Sequence, residues 1–160
     1  MSAALEPEAI PADNAVAELA HKPSREAIMR LEGVLREMPQ AEIKTTHHFA
    51  HGIYAREIFI PKGCMLTGKI HKTDHINVVS QGSITVWTEQ GMKRVSAPFC
   101  FVAKPGTKRV GYAHEDTVWT TFHPNPEDTH DLALLEDRLI APSFAELEAA
   151  WIQELKEENK

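Results

Sequence analysis

The chain has 160 residues, 42% of them hydrophobic and 25% charged, which is the composition of one soluble globular domain. Its net charge of −6 argues against a general nucleic-acid binder, which shows a basic field. No apolar run reaches the roughly 18 residues of a membrane-spanning helix, and no signal-peptide pattern opens the chain. We therefore expect a cytoplasmic protein without a membrane partner. Cys64 and Cys100 each lie in an apolar run, so both are expected in the core.

The first forty residues contain two kinds of segment. Residues 1–22 are rich in Ala, Glu and Pro without a period, and we interpret them as a flexible N-terminal arm. Residues 23–40 predict a helix, because Ser24 suits the N-cap position and Pro39 ends the pattern. Apolar residues recur in this segment at helical spacing, at Ile28, Leu31, Leu35 and Met38.

From residue 41 to residue 125 the pattern is that of strands. Eight short runs rich in Val, Ile, Thr and aromatic residues are separated by turn signals, with no helix between them. This predicts an antiparallel sandwich or barrel, in which "SITVWTE" and "MKRVSA" form a hairpin. Residues 126–160 are expected to be a loop followed by a C-terminal helix, which a capping box of Ser143 and Glu146 opens.

Two histidines, His71 and His75, stand four residues apart in "HKTDHINVVSQG". On one straight strand their Cα atoms would lie roughly 13 Å apart, too far to share an ion. The flanking residues do not support a helix. A turn at "KTD" would instead let the two histidines face one cavity from neighbouring strands.

The stretch "GKIHKTDHINVVSQG" resembles the first sequence motif of the cupin superfamily. Gly68 and Gly82 stand at the glycines of that motif, and His71 stands at its second histidine. Lys69 replaces the first histidine of the motif, and His75 occupies the place of its glutamate.

A second stretch, "KPGTKRVGYAHEDTVWTTFHP", resembles the second cupin motif. Its turn lies at Pro105 and Gly106, its usual histidine position falls at about Val110, and His114 takes the place of an asparagine. The resemblance implies a mainly β fold, a double-stranded β-helix (RmlC-like jelly roll) in residues 41–125 with flanking N- and C-terminal helices. The chain is also similar to small cupin-like proteins of tailed phages and prophages, which carry no assigned activity.

Within this fold the resemblance implies a histidine-lined cavity. Val110, Tyr112 and His114 would share one strand face, and an inward face would bring His114 to His71 and His75. Three imidazoles suit a divalent transition metal such as Zn, Fe, Mn or Ni. In the alternative, the histidines are polar residues that line a wet barrel mouth. His51, from the first barrel strand, is a further candidate ligand.

Other polar residues have two interpretations each. Lys69, Arg109 and Tyr112 would bind an anionic ligand, and an inward Lys69 would disfavour a metal cation. Asp74 and Glu115 either orient an imidazole from behind or are exposed turn residues. Three further histidines are expected outside the site, at the surface or in a loop: His47, His48 and His123.

Three functions therefore stay open. The chain is a metal-dependent enzyme that acts on a small polar substrate, a non-catalytic module that binds a small ligand, or a structural and assembly protein. Whether it is an enzyme is left undecided, because the fold supports many chemistries. A homodimer that pairs through its sheets or terminal helices is expected in each case.

Overall fold

The computed structural model describes residues 2–4 and 22–158. Most of the expected arm, residues 5–21, lies outside the described residues, and Ser2–Ala4 form an edge strand. The helices are α1 (Arg25–Glu37), α2 (Leu132–Leu139) and α3 (Phe144–Glu158). The strands are β1 (Ser2–Ala4), β2 (Lys44–Ala50), β3 (Gly52–Ile60), β4 (Cys64–Thr67), β5 (Ile70–His71), β6 (His75–Gln81), β7 (Ser83–Thr88), β8 (Gly91–Ser96), β9 (Phe99–Ala103), β10 (Val110–Ala113), β11 (Thr117–Asn125) and β12 (Ile140–Ala141).

The strands form two five-stranded antiparallel sheets and one small pair. The first sheet has the order β1-β4-β10-β7-β8, the second has the order β2-β3-β11-β6-β9, and β12 pairs with β5. Without the edge strands β1 and β2, the pairing is nested: β3 with β11, β4 with β10, β6 with β9, and β7 with β8. Nested antiparallel pairs divided between two facing sheets make a jelly roll. The expected fold class, a mainly β jelly roll with flanking N- and C-terminal helices, is confirmed.

Helix α1 covers the outer face of the first sheet. Ser24 caps it, since its hydroxyl accepts a hydrogen bond from the Ala27 amide at 3.1 Å. The predicted apolar stripe faces the sheet: Ile28, Leu31 and Leu35 are buried against Met65 and Val110, and Met38 is partly buried beside them. Full burial of such side chains contributes about 1.5–3 kcal/mol each, so this contact fixes the helix on the sheet.

The eight predicted strand runs and the hairpin of β7 and β8 are present. The sequence prediction missed β1, which lies in the expected arm, and also β4, β5, β12 and α2. The Asp131 carboxylate caps α2 by accepting hydrogen bonds from the Ala133 and Leu134 amides. In α3, the Ser143 hydroxyl accepts from the Glu146 amide at 3.2 Å, as the capping box predicts.

Three further sequence features can be placed. Cys64 is buried as expected, but the expectation for Cys100 was wrong: it is exposed, because its position in β9 turns it to the outer face of the second sheet. The motif residue Gly82 has φ +82, and a Cβ there would overlap the Asp116 carbonyl, so glycine is required. No helix in the described segments is long and apolar enough to cross a membrane.

Candidate functional site

A cavity of about 470 Å³ lies between the two sheets, and α2 contributes to its wall. In a strand, side chains alternate between faces, so every second residue of the inner strands faces this space. The volume is in the range of small-molecule sites. Residues of both sheets and of α2 line it, among them Tyr54, Arg56, Ile58, Ile60, Leu66, Lys69, His71, Ile84, Val86, Arg109, Gly111, Trp119, Thr121, His123, Leu135 and Glu136.

The register of the second sheet sorts its lining residues into levels. Ile60 lies deepest, opposite Thr117, and the next inward level is Ile58 opposite Trp119. Above it Arg56 faces Thr121, and then Tyr54 faces His123. The wall on this side therefore changes from apolar residues at the deep end to polar residues at the upper end. The upper end lies beside α2, since Tyr54 packs against Leu135 of that helix.

The first sheet shows the same gradient. Ala113 lies opposite Ile84 at the deep end, where both join Ile60 in one apolar cluster. Gly111 follows, opposite Leu66 on one side and Val86 on the other. Arg109 lies two residues before Gly111 and contacts His75 of the cluster. The cavity thus has an apolar deep end and a cationic, histidine-rich upper part.

Three histidines form a cluster at the upper end. The ring centroids of His71 and His75 are 4.0 Å apart, and those of His71 and His123 are 5.1 Å apart. The third pair, His75 and His123, is separated by 5.3 Å. The turn at residues 72–74 brings His71 and His75 together from β5 and β6, while β11 supplies His123.

The ring nitrogens of the cluster are used unequally. His75 Nδ1 lies 3.1 Å from the Thr73 carbonyl oxygen, so it carries the proton and donates. His75 Nε2 then accepts from Arg109 Nη2 at 3.4 Å. Within the described part of the chain, the buried Nδ1 atoms of His71 and His123 have no hydrogen-bond partner. Two buried polar atoms of the cluster therefore lack a partner within the described residues.

Burial keeps the cluster neutral. It lowers the pKa of His71 to about 2, with His75, His123 and both cavity arginines acting in the same direction. Burial likewise lowers the pKa of His123 to about 4, helped by His75 and Arg56. The pKa of His75 is also lowered, mainly by burial and then by Arg109, against the Thr73 carbonyl. At neutral pH these imidazoles carry no charge.

The positive charge of the cavity comes from arginine. Burial lowers the pKa of Arg109 to about 10, which still leaves it protonated at neutral pH. Its guanidinium lies 5.7 Å from the Phe101 ring centre and 5.9 Å from that of Trp119. Among the described residues, neither Arg109 nor Arg56 forms an ion pair with a carboxylate. The site has two cations available to bind an anion.

His114 does not join the cluster, contrary to the expected convergence. Its Nε2 lies 2.7 Å from the Thr85 hydroxyl, and its ring packs edge-on against Tyr112. Tyr112 and Val110 pack under α1, on the outer face of the first sheet. The expected strand face was therefore one residue out of phase, and Arg109 and Gly111 face the cavity instead. Tyr112 is not placed to bind a ligand there.

The remaining predicted site residues lie at the margin. Lys69 lines the rim of the cavity and pairs with Glu136 of α2. Asp74 is exposed beside Lys104, at 3.3 Å, and Glu115 is exposed in the turn after β10. Neither carboxylate forms a hydrogen bond to an imidazole of the described residues. The side chain of His51 is 95% exposed and pairs with Asp128, so it supplies no ligand to the cavity.

Sequence reasoning misplaced two histidines. His123 was expected in a loop because Pro124 follows it, but it is buried in β11. His47 was expected at the surface, yet it lines the cavity and its Nδ1 lies 2.8 Å from the Tyr54 hydroxyl. Alternation within "THHFA" was the available signal, since it turns His47 inward and His48 outward.

The donor set does not fit a metal ion as it is placed. Three imidazoles are suitable ligands chemically, but both nitrogens of His75 are engaged. The guanidinium of Arg109 occupies the side from which a cation would approach His75. Across residues 2–4 and 22–158, no three groups from His, Cys, Asp and Glu are arranged to hold a metal.

The chain is similar to several solved structures at low sequence identity. No family model and no curated protein matches the chain. Among solved structures, KdgF from Halomonas sp. has 22% identity, covers 56% of this chain and 81% of its own, and has a TM-score of 0.46. An RmlC-like cupin from Shewanella frigidimarina has 22% identity over 56% and 88%, with a TM-score of 0.44. The Cnp3 cupin domain of Schizosaccharomyces pombe has 15% identity over 62% and 72%, with a TM-score of 0.45. These likenesses carry nothing about activity.

Proposed function

We propose that this cupin-like protein binds a small organic anion, a carboxylate, in the cavity of its jelly roll. The observation that carries the proposal is the state of Arg109: its guanidinium is desolvated, faces the cavity and has no carboxylate partner among the described residues. A buried cation is costly unless it is paired, so a ligand that supplies the negative charge is favoured. A planar guanidinium also matches a carboxylate in two parallel hydrogen bonds.

The surroundings of Arg109 support an anion over a neutral ligand. Arg56 lines the same cavity and, with Arg109, acts electrostatically on His71. The neutral imidazoles of His71 and His123 offer nitrogen atoms that donate when the proton sits on them. Glu136 is an acidic residue of the lining, but Lys69 pairs with it. The net field in the cavity is positive.

The test is a calorimetric titration of the protein with benzoate and, separately, with benzamide, which is neutral and isosteric with benzoate. We expect benzoate to bind and benzamide to bind more weakly. The substitution Arg109→Gln removes the positive charge and the paired N–H donors of the guanidinium. It should lower the affinity for benzoate by about tenfold or more. Arg30→Gln is the control, because Arg30 is exposed on α1, outside the cavity lining. Equal binding of benzoate by wild type and Arg109→Gln would contradict the proposal.

The metal ion predicted from the sequence is the second candidate, and the two unpartnered Nδ1 atoms favour it. To bind an ion, the cluster would have to release His75 from Arg109. Elemental mass spectrometry on untagged protein, before and after incubation with Zn, Fe, Mn and Ni, decides this point. Near-stoichiometric metal that disappears in His71→Ala/His75→Ala would establish the metal site, whereas no metal in either protein would exclude it.

A further inference from the structure

The two ends of the cavity differ in chemistry, and this difference says more about the ligand. The deep end is lined by aliphatic side chains from both sheets: Ile58, Ile60, Leu66, Ile84 and Val86. The indole of Trp119 completes the wall, and its Nε1 donates to Asn77 at 2.9 Å, so it presents no free donor to the cavity.

The two ends also lie at a definite distance from one another. Arg109 immediately precedes β10 and lies four residues before Ala113, which is level with Ile84. At about 3.3 Å per residue, the cationic level and the deepest lining level are separated by roughly 13 Å. Gly111 lies on this path and carries no side chain, so Ile84 and Leu66 pack closely over its backbone. A Cβ there would lie 3.0 Å from Ile84 Cδ1 and 3.3 Å from Leu66 Cδ2.

We infer that the ligand is amphipathic: a carboxylate head at Arg109 with an unbranched apolar tail that extends between Ile58 and Val86 towards Ile84. This inference rests on the proposed function and narrows it to a class, the medium-chain aliphatic carboxylates. A short polar carboxylate would leave the deep end without a partner, since apolar walls gain free energy when they exclude water against an apolar group.

The head and the tail make separate, measurable contributions. Each methylene that enters an apolar site gains about 0.8 kcal/mol, which is about fourfold in affinity. The affinity of straight-chain carboxylates should therefore rise about fourfold per methylene from acetate upwards. Of this path of about 13 Å, the carboxylate and its contact with Arg109 take up about 4 Å. The rest holds roughly six to eight carbons, so the rise should then level off.

The experiment is a calorimetric series of straight-chain carboxylates from acetate to decanoate, with the matching primary alcohols, on three proteins. The first is the wild type. The second, Arg109→Gln, should lower the affinity of every acid by a similar factor and leave the rise per methylene unchanged. The third, Val86→Phe, fills the deep end. It should leave the affinities for acetate and butyrate unchanged, while the affinity stops rising at a shorter chain length than in the wild type.

The outcomes separate the two proposals. If all carboxylates bind with one affinity and depend on Arg109, the amphipathic inference is overturned and anion binding stands. If alcohols bind as tightly as acids and Arg109→Gln has no effect, the proposed function fails. An unchanged chain-length limit in Val86→Phe would also overturn the inference, because the tail would then lie elsewhere.

A misfolded variant is detected within the same series. Unchanged acetate binding by Val86→Phe shows that the upper part of its cavity is intact. Ile58→Phe is the second variant, since it narrows the same deep end from the opposite sheet. Both phenylalanine variants must shorten the optimal acid for the inference to hold.

Discussion

Lys108 and Arg109 are adjacent residues in two different environments, one outside the barrel and one inside it. Lys108 is 6% exposed, and its Nζ lies 2.5 Å from a Glu32 carboxylate oxygen on α1. Arg109 turns to the cavity and forms no ion pair with a carboxylate of the described chain. Alternation along a strand separates the two faces. Lys108, which is paired with a carboxylate, holds α1 on the barrel. Arg109, which has no carboxylate partner among the described residues, is available to bind a ligand.

The outer pair is held firmly. Burial alone would raise the pKa of Glu32, but the hydrogen bond and charge of Lys108, together with Arg36, lower it overall. Arg36 Nη2 lies 2.9 Å from the second Glu32 oxygen. Glu32 is therefore ionised at neutral pH and depends on its partners.

The largest expected effect comes from breaking this outer pair. Lys108→Met should lower the free energy of unfolding by about 3 kcal/mol, because it leaves a buried carboxylate with Arg36 as its remaining partner. Urea denaturation of both proteins measures the difference. The double variant Lys108→Met/Glu32→Leu should recover most of the loss, since two apolar residues can replace a buried pair. A single variant as stable as the wild type would show that the pair does not anchor α1.

The cavity side predicts a pH dependence in a different range. The pKa values of His71, His75 and His123 are lower in the folded protein than the ordinary 6.5, so the unfolded chain binds more protons. Stability is then complete above about pH 6.5 and falls as the pH decreases. For His71, with a folded pKa of about 2, the loss reaches about 2 kcal/mol by pH 5.

Urea denaturation between pH 7 and pH 4 tests this dependence. His71→Asn should flatten the slope between about pH 6.5 and 5 by roughly one proton. Glu32 acts lower, because a carboxyl with a lowered pKa loses its contribution when the pH falls below its ordinary 4.5. An identical slope in wild type and His71→Asn would mean that His71 is not buried in its neutral form.

The inner cation should respond in the opposite direction to the outer one. Arg109→Met removes a desolvated charge that has no acid, so the free energy of unfolding should stay constant or rise by up to about 1 kcal/mol. The same substitution should abolish the preference for benzoate over benzamide. A loss of several kcal/mol would instead assign Arg109 to the stability of the barrel.

The sequence was sufficient where local chemistry determines structure. Ser24 and Pro39 delimited α1, and the turn between His71 and His75 brought these residues together as expected. It was insufficient for the phase of β10. One face of that strand lines the cavity and the other packs against α1, so neither face is exposed to solvent. The apolar residues Val110 and Tyr112 therefore do not indicate which face points inward. When the inward face is assigned one residue out of phase, Val110 is predicted in the cavity in place of Arg109. The same error places His114 in the site.

Long-range contacts account for the other omissions. His123 belongs to the site because β11 pairs with both β3 and β6. No sequence pattern near Pro124 predicts that His123 lies in the interior of a sheet. Helix α2 has eight residues and follows a proline-rich loop, and it is stabilised by Leu135 and Leu139 packing on Tyr54. Elements of that length depend on tertiary contacts more than on their own sequence.

The smallest effect is expected at the rim, where Lys69 pairs with Glu136 and both side chains are more than half exposed. An exposed pair contributes little, because solvent screens it and two long side chains lose freedom. Lys69→Met should change the free energy of unfolding by less than about 0.5 kcal/mol. Its effect on acetate binding should be well below that of Arg109→Gln, because Glu136 already neutralises Lys69. A Lys69→Met variant that loses carboxylate binding as fully as Arg109→Gln would move the anion site from the interior of the barrel to its rim.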